Sequence, residues 1–126
     1  KLIYLAKGAN SVILITDAIR GAGMPDGEYP IDDRTITIQD GIARLPDGTL
    51  AGSTLTMERA VRNFIAATGA PLAEIWQASS LNAARAAGVS ARKGSLEPGK
   101  DADLVLVDAD INVYLTVAEG QVVYRS

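Results

Sequence analysis

Asp17 is the residue with the most chemical promise. It follows Ser11–Thr16 (SVILIT), an apolar, β-branched run, and it precedes the Gly- and Pro-containing stretch AIRGAGMPDG. A short apolar run of this kind reads as a strand buried on both faces, as in a parallel sheet. In α/β barrels and open α/β sheets, sites are built at the carboxyl ends of the strands. A carboxylate there can take a proton from water and later deliver it to a leaving group. An Asp after a strand can equally cap a turn or a helix, so position alone leaves both roles open. Leu50-Ala51-Gly52-Ser53-Thr54 is the second candidate. Small residues before a helix expose backbone N–H groups that can bind an anion or a carbonyl oxygen. Ser and Thr are also ordinary helix caps.

Other polar residues carry weaker signals. Arg20, Arg59 and Arg62 can meet a phosphate or carboxylate, but Arg59 and Arg62 lie off the apolar stripe of their helix and read as solvated. Glu97, Asp101, Asp103, Asp108 and Asp110 form an acidic stretch whose spacing does not match a calcium loop, so solvated turns are expected. Trp76 and Tyr124 read as core or interface residues. The chain has 126 residues with no His and no Cys. A His-based triad, a His metal ligand and a thiolate site are therefore excluded within it. Formal charge is -3 and the sequence pI is about 4.8, which argues against nucleic acid, whose phosphates need a basic stripe. No apolar run reaches the ~20 residues of a membrane helix, and no signal-peptide pattern opens the chain.

The elements that would position these residues alternate in type. Lys1–Ala9 reads as the end of an amphipathic helix stopped at Gly8. After the run at 11–16 and the loop, Tyr29–Ile31, Thr35–Ile38 and Ile42–Leu45 read as strands separated by Asp32-Asp33 and Asp40-Gly41, a hairpin signal. Pro46-Asp47-Gly48 is a further turn. Thr54–Thr68 is the longest helix, with Met57, Ala60, Val61, Phe64 and Ile65 on one stripe and Ser53 or Thr54 as cap. Pro71 opens another helix with Leu72, Ile75 and Trp76 on one side. Ser80-Leu81-Asn82 interrupts it, and Ala83–Ala87 continues to Gly88. Beyond 88–95 the character turns to β: Leu104–Val107, Val113–Val117 and Gln121–Tyr124.

This inventory is short of sheet. One parallel-type strand cannot make a sheet, and three terminal strands leave two open edges. The chain starts at Lys1 rather than Met. It therefore reads as the last part of something larger.

Several segments resemble the N-acetylglucosamine-6-phosphate deacetylase family of the amidohydrolase superfamily. VILITDAIRGAGMPDGEY (residues 12–29) looks like that family's last barrel strand with its Thr-Asp-Ala motif. DGIARLPDGTLAGSTLTMERAVRN (residues 40–63) is the most specific match. ASSLNAARAAGV (residues 78–89) and KGSLEPGKDADLVLVD (residues 93–108) follow, the last being widespread in the superfamily. The resemblance implies an α/β fold, the C-terminal part of a metal-dependent hydrolase (β/α)₈ TIM barrel plus strands of a small β-sandwich. Residues 1–90 would be barrel and residues 91–126 sandwich. It implies hydrolysis of N-acetylglucosamine 6-phosphate to glucosamine 6-phosphate and acetate, in amino-sugar catabolism, by a cytoplasmic homodimer with a divalent metal such as Zn²⁺ that activates water. Asp17 would be the catalytic acid/base, and Leu50, Ala51 and Gly52 would contact the substrate near its N-acetyl group. The family's metal ligands, a Glu and His residues, lie upstream and match nothing here, so this polypeptide alone is expected to be inactive.

Two other readings compete. A dihydroorotase-like or deaminase-like member of the superfamily shares the 93–108 tail but is less consistent with LPDGTLAGSTLTM. A non-catalytic α+β binding module fits the lack of His and Cys but leaves the sheet edges unexplained.

Overall fold

A computed structural model describes all 126 residues. Helices and strands are mixed, as expected of an α/β chain. Two compact units form, Ile15–Ala60 and Lys1–Leu14 with Val61–Ser126.

In the first unit, β1 (Gly27–Ile31), β2 (Arg34–Gln39), β3 (Ile42–Arg44) and β4 (Leu50–Gly52) make an antiparallel sheet in sequential order. The expected turns close its hairpins. Asp40 and Gly41 have φ of 51° and 71°, the two left-handed residues of a turn whose twist matches the flanking strands. Ile36 and Ile38 face the same side because side chains alternate along a strand. With Ala43, opposite Ile38, they form the buried core, and Ile19, Tyr29, Ile31, Leu45 and Ala51 pack around them.

The Gly-rich stretch after Asp17 is tied to this sheet. Ile19 joins its core, and Gly21 is buried. A Cβ on Gly21 would lie 2.6 Å from Ile38 Cδ1, so any larger residue there would make the buried Ile38 side chain shift. The Tyr29 hydroxyl donates to the Pro25 carbonyl at 2.7 Å, and the Asp40 N–H donates to Asp26 Oδ2 at 2.9 Å. These bonds hold the far end of the loop.

The second unit contains α1 (Leu2–Lys7), α3 (Leu72–Ile75) and α4 (Leu81–Ala86), and an antiparallel sheet of β5 (Leu104–Val107), β6 (Val113–Ala118) and β7 (Gln121–Arg125). Its core is Val61, Ala70, Ile75 and Ile111, with Tyr4, Leu14, Phe64, Ile65, Leu72 and Val107 packed against it. Tyr4 and Phe64 meet edge to face at 5.7 Å, and the Tyr4 hydroxyl donates to the Glu74 carboxylate. Trp76 and Tyr124, expected in a core or interface, are both exposed.

Two expectations are corrected. Residues 11–16 do not form a strand. Ser11 ends a short 3₁₀ turn (Ala9–Ser11), half-buried and exposed side chains then alternate from Val12 to Asp17, and Ile15 is 71% exposed rather than buried. A parallel strand exists only through hydrogen bonds to neighbours, and this chain has none to offer beyond an isolated bridge of Ala18 with Ser53. The long helix, α2 (Met57–Thr68), starts later than expected. Ser53 and Thr54 do not cap it: Ser53 Oγ accepts the Leu55 N–H at 3.0 Å, and Thr54 donates to the Gly41 carbonyl. Thr56 holds the entry, with its hydroxyl on the Glu58 carboxylate and its carbonyl accepting the Ala60 N–H at 2.9 Å.

The acidic stretch is more ordered than solvated turns require. Lys93 Nζ lies 2.8 Å from Asp101 Oδ2 and 2.7 Å from Asp103 Oδ2. Asp103 Oδ1 accepts the Glu119 N–H at 2.7 Å, which ties the 93–103 segment to the β6–β7 turn. The Lys93 ammonium first, then the Glu119 N–H, hold the Asp103 carboxyl below its ordinary range. A depressed carboxylate contributes stability that is present above its unfolded pKa of about 4 and lost as pH falls through its folded pKa. The Glu119 amide should therefore stay protected from hydrogen exchange at pH 4 and lose protection on further acidification. Lys93→Met should move that loss to higher pH. An unchanged Glu119 profile in the variant would refute the linkage.

Candidate functional site

Asp17 sits at the end of the alternating 12–17 segment, exposed, with φ of 50°. That left-handed conformation is costly for most side chains but is visited by Asp and Asn. It turns the chain out of its extended path at the point where a catalytic carboxylate was expected. The two sides of this turn are fixed within their own units. Upstream, the Leu14 N–H donates to the Ala78 carbonyl at 2.8 Å. Downstream, Ala18 pairs in parallel with Ser53, and the Ile19 N–H donates to the Ser53 carbonyl at 2.9 Å.

The same bridge reaches the second candidate: it pairs Ala18, the residue after Asp17, with Ser53, the residue after Gly52. Leu50–Gly52 is strand β4, not the lead-in to a helix. Gly52 and Leu50 pair with Ala43 and Arg44 across an irregularity in the ladder. Such bulges re-aim side chains and recur beside sites. The three residues are used differently. Leu50 is 65% exposed, Ala51 packs on the sheet core, and Gly52 lets Ile19 approach. The proposed anion site at a helix N-terminus does not form, since the segment is a strand and α2 begins at Met57.

The arginines are dispersed. Arg20 is exposed beside the Asp17 turn. Arg59 lies near Gly41, and Arg62 Nη1 donates to Asn112 Oδ1 at 3.3 Å. Asp108 closes its own turn by accepting the Asp110 and Asn112 N–H groups at 2.9 and 2.8 Å. No three His, Cys, Asp or Glu side chains gather so as to hold a metal ion, so the residues of this chain do not fit a divalent-metal site by themselves. No helix is long and apolar enough to cross a membrane.

Two participants were not legible in the sequence. Ser53 acts through its backbone, which no residue-type signal reveals. Asn82, which reads only as an interruption between helices, is buried and bonds the chain on its way to Asp17.

A family profile described as the amidohydrolase family matches residues 3–123. The chain belongs to the amidohydrolase family. Membership implies a divalent metal, which the side chains here do not gather. Among similar amidohydrolases, N-acetylglucosamine-6-phosphate deacetylase of Bacillus subtilis is 43% identical over 126 residues, covering 100% of this chain and 32% of the relative. N-acetylgalactosamine-6-phosphate deacetylase of Escherichia coli O157:H7 is 43% identical over 110 residues, covering 87% and 29%. The crystal structure of N-acetylglucosamine-6-phosphate deacetylase from Thermotoga maritima superposes with a TM-score of 0.87 at 45% identity, covering 100% of this chain and 34% of that one. The chain thus spans about a third of the length of these relatives.

Proposed function

We propose that the full-length protein hydrolyses the acetamide of N-acetylglucosamine 6-phosphate to glucosamine 6-phosphate and acetate, with Asp17 as general acid/base. The observation that supports this reading is the pairing of Ala18, the residue after Asp17, with Ser53, the residue after Gly52, in a chain 43–45% identical to such deacetylases along its whole length. The Asp17 carboxylate accepts a proton from water as the oxygen adds to the acetyl carbonyl carbon. It then delivers that proton to the nitrogen as the C–N bond breaks, so that the amine leaves neutral. Leu50, apolar and exposed, suits the acetyl methyl group, with Ala51 and Gly52 framing the amide. No step is assigned to the metal, whose ligands would come from elsewhere in the enzyme.

The accompanying architecture is a (β/α)₈ barrel with a small β-sandwich, residues 1–90 belonging to the barrel and 91–126 to the sandwich. A cytoplasmic homodimer completes the reading. The galactosamine relative, at equal identity over a shorter stretch, makes the C4 epimer the alternative substrate.

The test is acetate release by the full-length protein from N-acetylglucosamine 6-phosphate and N-acetylgalactosamine 6-phosphate at equal concentration, with ring opening of dihydroorotate to N-carbamoylaspartate followed in parallel. The expected order places the gluco epimer first by at least about tenfold in kcat/KM, as a site that hydrogen-bonds a substrate hydroxyl allows. Preference for the galacto epimer would overturn the substrate assignment. Turnover of dihydroorotate alone would overturn the reaction.

A further inference from the structure

Ser53 and Thr54 follow β4 and use both their hydroxyls on the backbone. Ser53 Oγ accepts the Leu55 N–H at 3.0 Å. A side-chain oxygen bound to the N–H two residues on closes a local turn, which fixes the direction of the peptide between Ser53 and Thr54. Thr54 holds the same peptide from its other side, its hydroxyl donating to the Gly41 carbonyl in the β2–β3 turn. That peptide carries the Ser53 carbonyl, which accepts the Ile19 N–H at 2.9 Å. The pairing of Ala18 with Ser53 is isolated, so no ladder on either side reinforces it. Ile19 itself is seated on the Ile36, Ile38 and Ala43 core. All of these residues, with Asp17, belong to the Ile15–Ala60 unit. Asp17 has φ of 50°, and a side-chain-bearing residue keeps such a conformation only when its surroundings hold it there. On the downstream side that hold is the Ser53 carbonyl together with the packing of Ile19.

We propose that Ser53 and Thr54 are positioning residues for Asp17: their hydroxyls orient the peptide whose carbonyl holds Ile19, and so keep Asp17 in its left-handed turn. The inference rests on the reading of Asp17 as the acid/base. A reacting group misplaced by about 1 Å can cost about 10²-fold in rate.

The experiment uses the full-length metal-loaded enzyme and compares Ser53→Ala, Ser53→Thr and Asp47→Ala. The first removes the oxygen that binds the Leu55 N–H, and the second keeps it. The third breaks a bond of the same kind, Asp47 Oδ1 with the Thr49 N–H at 2.9 Å, in the turn that precedes β4. Ser53→Ala is expected to lower kcat about 10- to 100-fold with KM within about twofold. Ser53→Thr should restore most of that loss. Asp47→Ala should lower the melting temperature and leave kcat near wild type. Thr54→Val, which removes the second bond on the same peptide, should lower kcat in the same direction, and it carries the test if Ser53→Ala does not fold. Unchanged kcat in the folded Ser53→Ala or Thr54→Val protein overturns the proposal, as does an equal kcat loss in Asp47→Ala. The Asp17→Asn background separates the two ideas. There Ser53→Ala should cost nothing further, because the effect runs through the Asp17 carboxylate. A full additional loss shows that Ser53 acts by another route, so positioning fails while the Asp17 reading stands. If Asp17→Asn alone stays active, the Asp17 reading fails and the proposal falls with it.

Discussion

Asp17→Asn in the full-length enzyme is expected to lower kcat for acetate release by about 10²–10⁴-fold, the range that a positioned acid/base supplies. KM should change little. The substitution is well suited to isolate chemistry from folding. Asp17 has φ of 50°, and Asn is the other non-glycine residue that enters this region readily. The backbone turn therefore survives, and Asn matches the volume of the carboxylic acid. The Asp17 side chain is exposed, so the exchange leaves no buried group without a partner. The melting temperature should stay within about 2 °C of wild type, as surface exchanges of this kind usually do. Metal content should be matched between the proteins so that rate and occupancy are not confused. Turnover within about tenfold of wild type would show that Asp17 is a turn residue. Asp17→Ala is less informative, since alanine pays the left-handed backbone penalty as well.

The parts of the fold that could be read from the sequence are those fixed by neighbours in the chain. Asp40-Gly41 specifies a tight turn because glycine and aspartate enter the left-handed region more readily than other residues, and both are left-handed in the structure. Ile36 and Ile38 alternate with Thr residues and are buried for that reason. The errors arise where the outcome depends on a distant partner. The apolar run at 11–16 has strand composition, but composition cannot supply hydrogen-bonding neighbours, and Ile15 is left exposed. Leu50–Gly52 has no alternation to mark it as a strand and becomes one by pairing with β3. The pairing of Ala18 with Ser53 is one isolated backbone bridge, which residue types do not encode. Asn82 shows the same limit in a helix. Nothing in an Ala-rich stretch says that its one amide faces inward, yet its two bonds reach back some seventy residues.

Gly52→Ala is expected to disturb both stability and turnover, because the glycine is needed on two separate counts. A Cβ at this position would lie 2.2 Å from Ile19 Cγ2, well inside any tolerable contact. Its φ of 151° is also one that L side chains rarely adopt. Overpacking typically costs about 1–3 kcal/mol, and a disfavoured backbone conformation about 1–3 kcal/mol more. Relief requires Ile19 to withdraw. Ile19 packs on the sheet core and its N–H bonds the Ser53 carbonyl at 2.9 Å, so withdrawal loosens the bridge that flanks Asp17. The variant should therefore melt earlier and also lose kcat by roughly 10-fold or more, as misplacement of a reacting group does. Ile19→Leu supplies the discriminating partner, since it keeps the volume and removes the branch at Cβ that carries Cγ2. In the double variant the steric share of the loss should be recovered, giving a coupling of about 0.5–3 kcal/mol, while the backbone share remains. Additive losses would mean that the alanine is accommodated without moving Ile19. A Gly52→Ala protein with wild-type melting and turnover would show that the close approach of Gly52 to Ile19 contributes nothing to the site.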